Sequence, residues 1–157
     1  MARHRRRWAL AVGTLGAATA GFVLVWFQPQ KLWIDEHVDE APPAASATLA
    51  SGTFVSLDHG TRGRVRILER ADGTRVLRLE DLETSNGPDL YVYLSPNPAD
   101  GGEGAFDDDP LDLGRLEGNV GDQNHTLPAG VDLSRYRSVV IWCDRFDSAF
   151  GAAAIEV

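Results

Sequence analysis

The sequence predicts an all-β domain, a β-sandwich or barrel-like fold, preceded by a single transmembrane helix. From Gly52 onward, short apolar stretches recur between turn clusters, and no stretch there carries a helical period long enough for a buried helix. Near the N-terminus, the run from Trp8 to Phe27 has no charge and no proline. Wound as a helix, that run covers about 30 Å, the thickness of a bilayer's hydrocarbon core.

The N-terminal segment comes first. Arg3, Arg5, Arg6 and Arg7 precede the apolar run, and Lys31 followed by Asp35, Glu36, Asp39 and Glu40 comes after it. The positive-inside rule therefore places residues 1–7 in the cytoplasm and everything after Phe27 outside the cytoplasmic membrane. Trp8, Trp26 and Trp33 fall near the two interfaces, where indoles prefer to sit. A cleaved signal peptide has the same basic start but a shorter apolar region ending in small residues. Here Ala17, Ala18 and Ala20 lie mid-run, and large side chains from Phe22 to Phe27 follow them, so the expectation is an uncleaved anchor over 8–27. A cut within Ala44–Ala50 is the competing outcome. Residues 28–51, an acidic patch followed by APPAASATLAS, read as a flexible linker.

Within 52–157 the predicted strands are TFVSL, VRIL, RVLRLEDL, DLYVYLS, LDLGRL, the region of His125–Leu127, SVVIWC and GAAAIEV. The turns between them are marked by DHGTRG, ADG, TSNGPD, SPNPADGGEG, PAG and SRY. Leu77 and Leu79 alternate with Arg78 and Glu80, and Leu90, Val92 and Leu94 alternate with Tyr91 and Tyr93. The stretch from Val139 to Cys143 is apolar on both faces, as suits a strand in the middle of a sandwich. Pro96 to Pro110 is the longest loop.

Charge narrows the partners. The chain after position 30 holds all 23 acidic residues but 11 of the 15 basic ones, a net charge of −12. That sign repels nucleic acid and anionic lipid headgroups, so no nucleic-acid partner is expected.

Four stretches, GTFVSLDHGTRGRVRIL, LRLEDLETSNGPDLYVYLS, LEGNVGDQNHTLP and LSRYRSVVIWCDRFDSAFGAAAI, resemble the DM-thirteen or "electron transfer DM" domain in that order, from Gly52 to about Ile155. The resemblance implies an extracellular domain of the kind found beside DOMON and cytochrome b-type domains. It also implies a redox or electron-transfer role with a redox partner protein and a bound haem as one form of it. The cysteine of the family's VxIWC motif corresponds to Cys143. Two positions depart from the pattern: Leu82 and His125 stand where the family carries aromatic residues.

Cys143 is the sole cysteine, so the chain forms no internal disulfide. Its thiol is either a small buried hydrophobe, a redox or cofactor-ligating group, or a site of intermolecular disulfide formation. Arg145 nearby favours a thiolate and Asp144 opposes it. His59 and His125 are the imidazoles of the predicted domain. With Cys143 they make a set whose softness suits copper or zinc, or supplies an axial haem ligand. The spacing carries no metal signature, and histidines in turns or edge strands are the plainer reading. Asp89 and the loop residues Asp107, Asp108 and Asp109 offer oxygen ligands for calcium, set against ordinary turn chemistry and no EF-hand spacing. No G-x-S-x-G, P-loop or H-E-x-x-H motif is present, so no turnover enzyme is indicated. The rival to the redox reading is a cell-surface module binding a protein, a glycan or calcium.

Overall fold

The computed structural model describes residues 2–26, 28–32, 34–45, 47–102, 105–106 and 108–156. Helix α1 spans Ala2–Trp26, and a 3-10 turn follows at Pro29–Leu32. The strands are β1 (His37–Asp39), β2 (Ala47–Ser56), β3 (Arg62–Glu69), β4 (Arg75–Glu83), β5 (Leu90–Ser95), β6 (Leu111–Arg115), β7 (Val120–Thr126), β8 (Ser138–Cys143) and β9 (Ser148–Ala154).

They form one nine-stranded sheet in the order β1-β7-β4-β3-β2-β9-β8-β5-β6. The sheet curls until β6 comes against β7, giving a half-barrel, so the barrel half of the expected fold is the one observed. No main-chain ladder joins β6 to β7. Side chains close that seam instead: the His125 ring meets the Leu113 carbonyl through Nδ1 at 3.3 Å. Gln123, fully buried, accepts from the Glu117 amide at 2.9 Å and donates to the Gly118 carbonyl at 2.8 Å.

The concave side holds the main core, with Val65, Ile67, Leu77, Leu79, Val92, Leu94, Val139 and Ile141 all inaccessible to solvent. The other face of β8 is also apolar. There Val140 and Trp142 pack with Tyr93, Ala149 and Ala152 beneath Phe106 from the long loop. A loop, not a second sheet, covers that face, with Phe106 and Ala99 as its buried apolar residues among those described.

Two stretches expected in the linker are strand. β1 pairs in parallel with β7, and β2 begins at Ala47, five residues ahead of the predicted boundary at Gly52. Neither shows the period-2 apolar alternation of a half-buried strand. β1 is held by polar contacts, and the early part of β2 carries mostly exposed small residues against β3.

Among the described residues no helix is long and apolar enough to cross a membrane. Phe27 and Trp33, with the side chains at 2–7 and 9–11, lie outside what the structure describes. The described side chains from Val12 to Trp26 are exposed, with the Phe22 ring stacked on Trp26 at 5.8 Å.

Candidate functional site

One end of the half-barrel gathers the turns β2–β3, β4–β5, β6–β7 and β8–β9. Thr61, buried, anchors it: its hydroxyl lies 2.8 Å from that of Thr84 and 3.1 Å from the Phe150 carbonyl. That approach requires Gly151, since a Cβ there would stand 2.5 Å from the Thr61 Cβ. The Thr61 backbone is itself tied down by Ser56, whose Oγ accepts from the Thr61 amide at 2.9 Å. The tightened turn lays the His59 ring over Phe150 at 3.8 Å between centroids. Asn119, almost wholly buried, donates through one amide nitrogen to the Thr84 carbonyl and to Asp35 Oδ1, both at 2.8 Å.

These contacts frame a cleft of about 530 Å³. Its domain wall is His59, Gly60 and residues 83–86; its other wall is Lys31, Asp35 and His37 from the N-terminal segment. The sequence reading counts His59 and His125 as the imidazoles of the domain, but His37 belongs with them, on β1. Nothing in the acidic IDEHVDE run singles it out. Asn119 was missed for the same reason: a turn asparagine gives no hint that its side chain will bridge three segments.

Cys143 ends β8 opposite Leu90 and Ser148. It is completely buried in the main core with Leu90 and Phe150, and burial pushes its thiol up from the usual range. The nearby Arg145 does not offset this. Its guanidinium pairs with Asp89 at 3.7 Å and sits 4.9 Å over the Trp26 ring. The thiol lies beside the β8–β9 turn, residues 144–147, and Asp89 of the β4–β5 turn, with Phe146 about half exposed and Asp147 in the left-handed region at φ 53°.

The other candidates are scattered. His125 is buried in the β6–β7 seam, with no partner for Nε2, and desolvation holds its pKa below the usual histidine value. Asp89 is committed to Arg115 and Arg145. Asp109 pairs with Arg135 at 2.9 Å, Asp108 is exposed, and Asp107 lies outside the described residues. Among the described residues, no three His, Cys, Asp or Glu side chains are grouped to hold a metal ion. His59 on Phe150, His125 in the seam and Cys143 in the core do not converge. Among the described residues the three therefore make no shared metal-ion site.

The family model described as "Electron transfer DM13" matches residues 53–155. The chain belongs to this family. No curated protein and no solved structure matches it. The DM13 domain thus runs from within β2 to the end of β9. Each of the four stretches that carried the resemblance puts a residue at the cleft end: His59 and Thr61, Thr84 and Asn86, Asn119, and Phe150. β1 and the segment before it lie outside the matched DM13 region, although they complete the cleft.

Proposed function

We propose that this DM13 protein is a membrane-anchored, extracytoplasmic component of an electron-transfer process, with Cys143 as its redox group and a redox partner protein as the other half of the couple. The observation that carries the reading is the family match over 53–155. The anchor at 8–27 is supported by the arginines before it and the acidic flank after it. A helix whose apolar side chains Phe22, Leu24, Val25 and Trp26 are exposed also suits a bilayer better than water.

As a buried thiol with a raised pKa, Cys143 exchanges no disulfide while the domain is closed. Its chemistry requires the exposed 144–147 turn to lift. The thiolate formed there would attack a disulfide of the partner, making the mixed disulfide as the partner's own S–S bond breaks and its second sulfur leaves as a thiolate, so that the partner's disulfide is the oxidant. The test is to quench membranes with acid, alkylate free thiols and follow Cys143 through cycles of oxidant and reductant. Reversible conversion to a mixed disulfide supports the proposal. A thiol that stays free under every condition contradicts it.

A second reading, a cell-surface binding module without redox activity, is favoured by the cleft. Its polar walls, one from two of the DM13 stretches and the other from Lys31, Asp35 and His37, suit a polar ligand whether or not Cys143 ever reacts.

A further inference from the structure

Residues 34–41 lie along the domain in an extended path, and the surface beneath them is shaped to take them. β1 pairs His37, Val38 and Asp39 with Val120, Gly121 and Asp122. The main-chain ladder extends past the strand at both ends, from the Val120 amide to the Glu36 carbonyl at 3.2 Å and from the Glu40 amide to the Asp122 carbonyl at 2.9 Å.

The bed is made of glycine. A Cβ at Gly118 would stand 2.5 Å from the Glu36 carbonyl oxygen and 2.6 Å from Val38 Cγ2. One at Gly121, whose φ is +108°, would stand 1.9 Å from the Val38 carbonyl oxygen. Side chains hold the segment along its whole length. Asn86 donates to the Ile34 carbonyl at 2.8 Å, and Asn119 Oδ1 accepts from the Glu36 amide at 2.7 Å. The Asn124 amide donates to Glu40 Oε2 at 2.6 Å, and the Asn124 side chain donates to the Ala41 carbonyl at 3.1 Å. Arg78, 3% exposed, donates to the Glu40 carbonyl at 3.1 Å while paired with Asp122 and Glu80. Gly118, Asn119, Gly121 and Asn124 all lie within the DM13 match, and the segment they hold lies outside it.

We infer that the edge of β7 is a strand-accepting groove, that its fitting partner is an extended acidic segment, and that residues 34–41 are its resident occupant. This is strand addition in cis, with affinity from the main chain and specificity from the polar side chains. The groove runs from the cleft end, where Ile34 and Glu36 are held, toward Glu40, so the strap fixes which end of the domain is near α1. Residues 27–33 reach no more than about 25 Å even when extended. On the anchor reading above, on which this consequence rests, the cleft faces the bilayer.

The strap is tested with the full chain in detergent, independently of any topology. Under a non-specific protease, the wild type should be cut at 42–45 while 34–41 is spared. Glu40→Pro removes the amide bonded to Asp122 and the carboxylate bonded to Asn124, and should raise cleavage within 34–41 about tenfold or more with the domain still unfolding cooperatively. In a chain with 34–41 replaced by glycine and serine, a labelled synthetic peptide of residues 34–41 should bind saturably. Gly121→Val in that background should abolish the binding. Wild-type cleavage within 34–41 as fast as at 42–45, or no peptide binding at millimolar concentration, overturns the groove. Accessibility of His59 in nanodiscs equal to that of Asp72 at the opposite end, with the strap intact, overturns only the membrane-facing consequence.

Discussion

His125→Phe should make the domain more tolerant of acid. The imidazole is buried at the β6–β7 seam with Nδ1 on the Leu113 carbonyl and Nε2 unpartnered. Desolvation lowers its pKa, while Leu113, Glu117 and Glu40 act in the raising direction without reversing the shift. The folded state therefore binds the proton less readily than the unfolded chain, whose histidine titrates near 6.5. The stability the neutral ring confers is complete above that value and is lost as pH falls toward the folded pKa. One proton taken up on unfolding sets the slope at no more than about 1.4 kcal/mol per pH unit. Phenylalanine has nothing to protonate there, removes an unsatisfied nitrogen worth about 1–3 kcal/mol, and forfeits one hydrogen bond worth about 0.5–1.5 kcal/mol. It should be at least as stable as wild type at pH 7.5 and should lack this component of the acid slope. Urea denaturation of both proteins between pH 7.5 and 5 measures it. Equal slopes for wild type and His125→Phe would refute the reasoning, because the acid sensitivity would then reside elsewhere.

Three further outcomes follow from the same structure. Arg78→Ala strands Asp122, Glu80 and the Glu40 carbonyl around a buried site and should cost about 2–3 kcal/mol, the partners' partial exposure softening the loss; urea midpoints at constant m-value check it. Cys143→Ser buries a hydroxyl in the apolar core and should cost about 1–3 kcal/mol in the same assay. A reporter active only outside the cytoplasm, fused after Val157, should work, and the mature protein should keep its N-terminal arginines; a mature N-terminus near residue 45 would sink the anchor.

How much of this was legible in the sequence depends on what holds each element. β8 was readable because it is apolar on both faces, and β4 and β5 because leucine and valine alternate with polar or aromatic residues along them. β7 was readable only at its end, since its inward residues Gln123 and His125 are polar and bond to particular carbonyls and amides that no periodicity encodes. β1 was invisible for a related reason. Its three residues owe their place to Gly118, Gly121, Asn119 and Arg78, far away in the chain. At the site, His59 stood out as an imidazole in a turn, but its cleft could not, because the opposite wall comes from a segment that reads as linker. Cys143 stood out as the lone thiol, and its burial was one of the readings left open by a position at the end of an apolar strand.

The claim that Cys143 works as a redox group stands or falls on how its thiol becomes accessible. The decisive measurement is the rate at which a thiol reagent labels Cys143 in the native full chain at increasing urea, beside the global unfolding curve. Opening of the 144–147 turn alone exposes little surface, so the account predicts a labelling rate that is nearly flat at low urea and rises only as global unfolding takes over. A rate that climbs from zero urea in step with global unfolding would contradict it, because the thiol would then be reachable only in the unfolded chain.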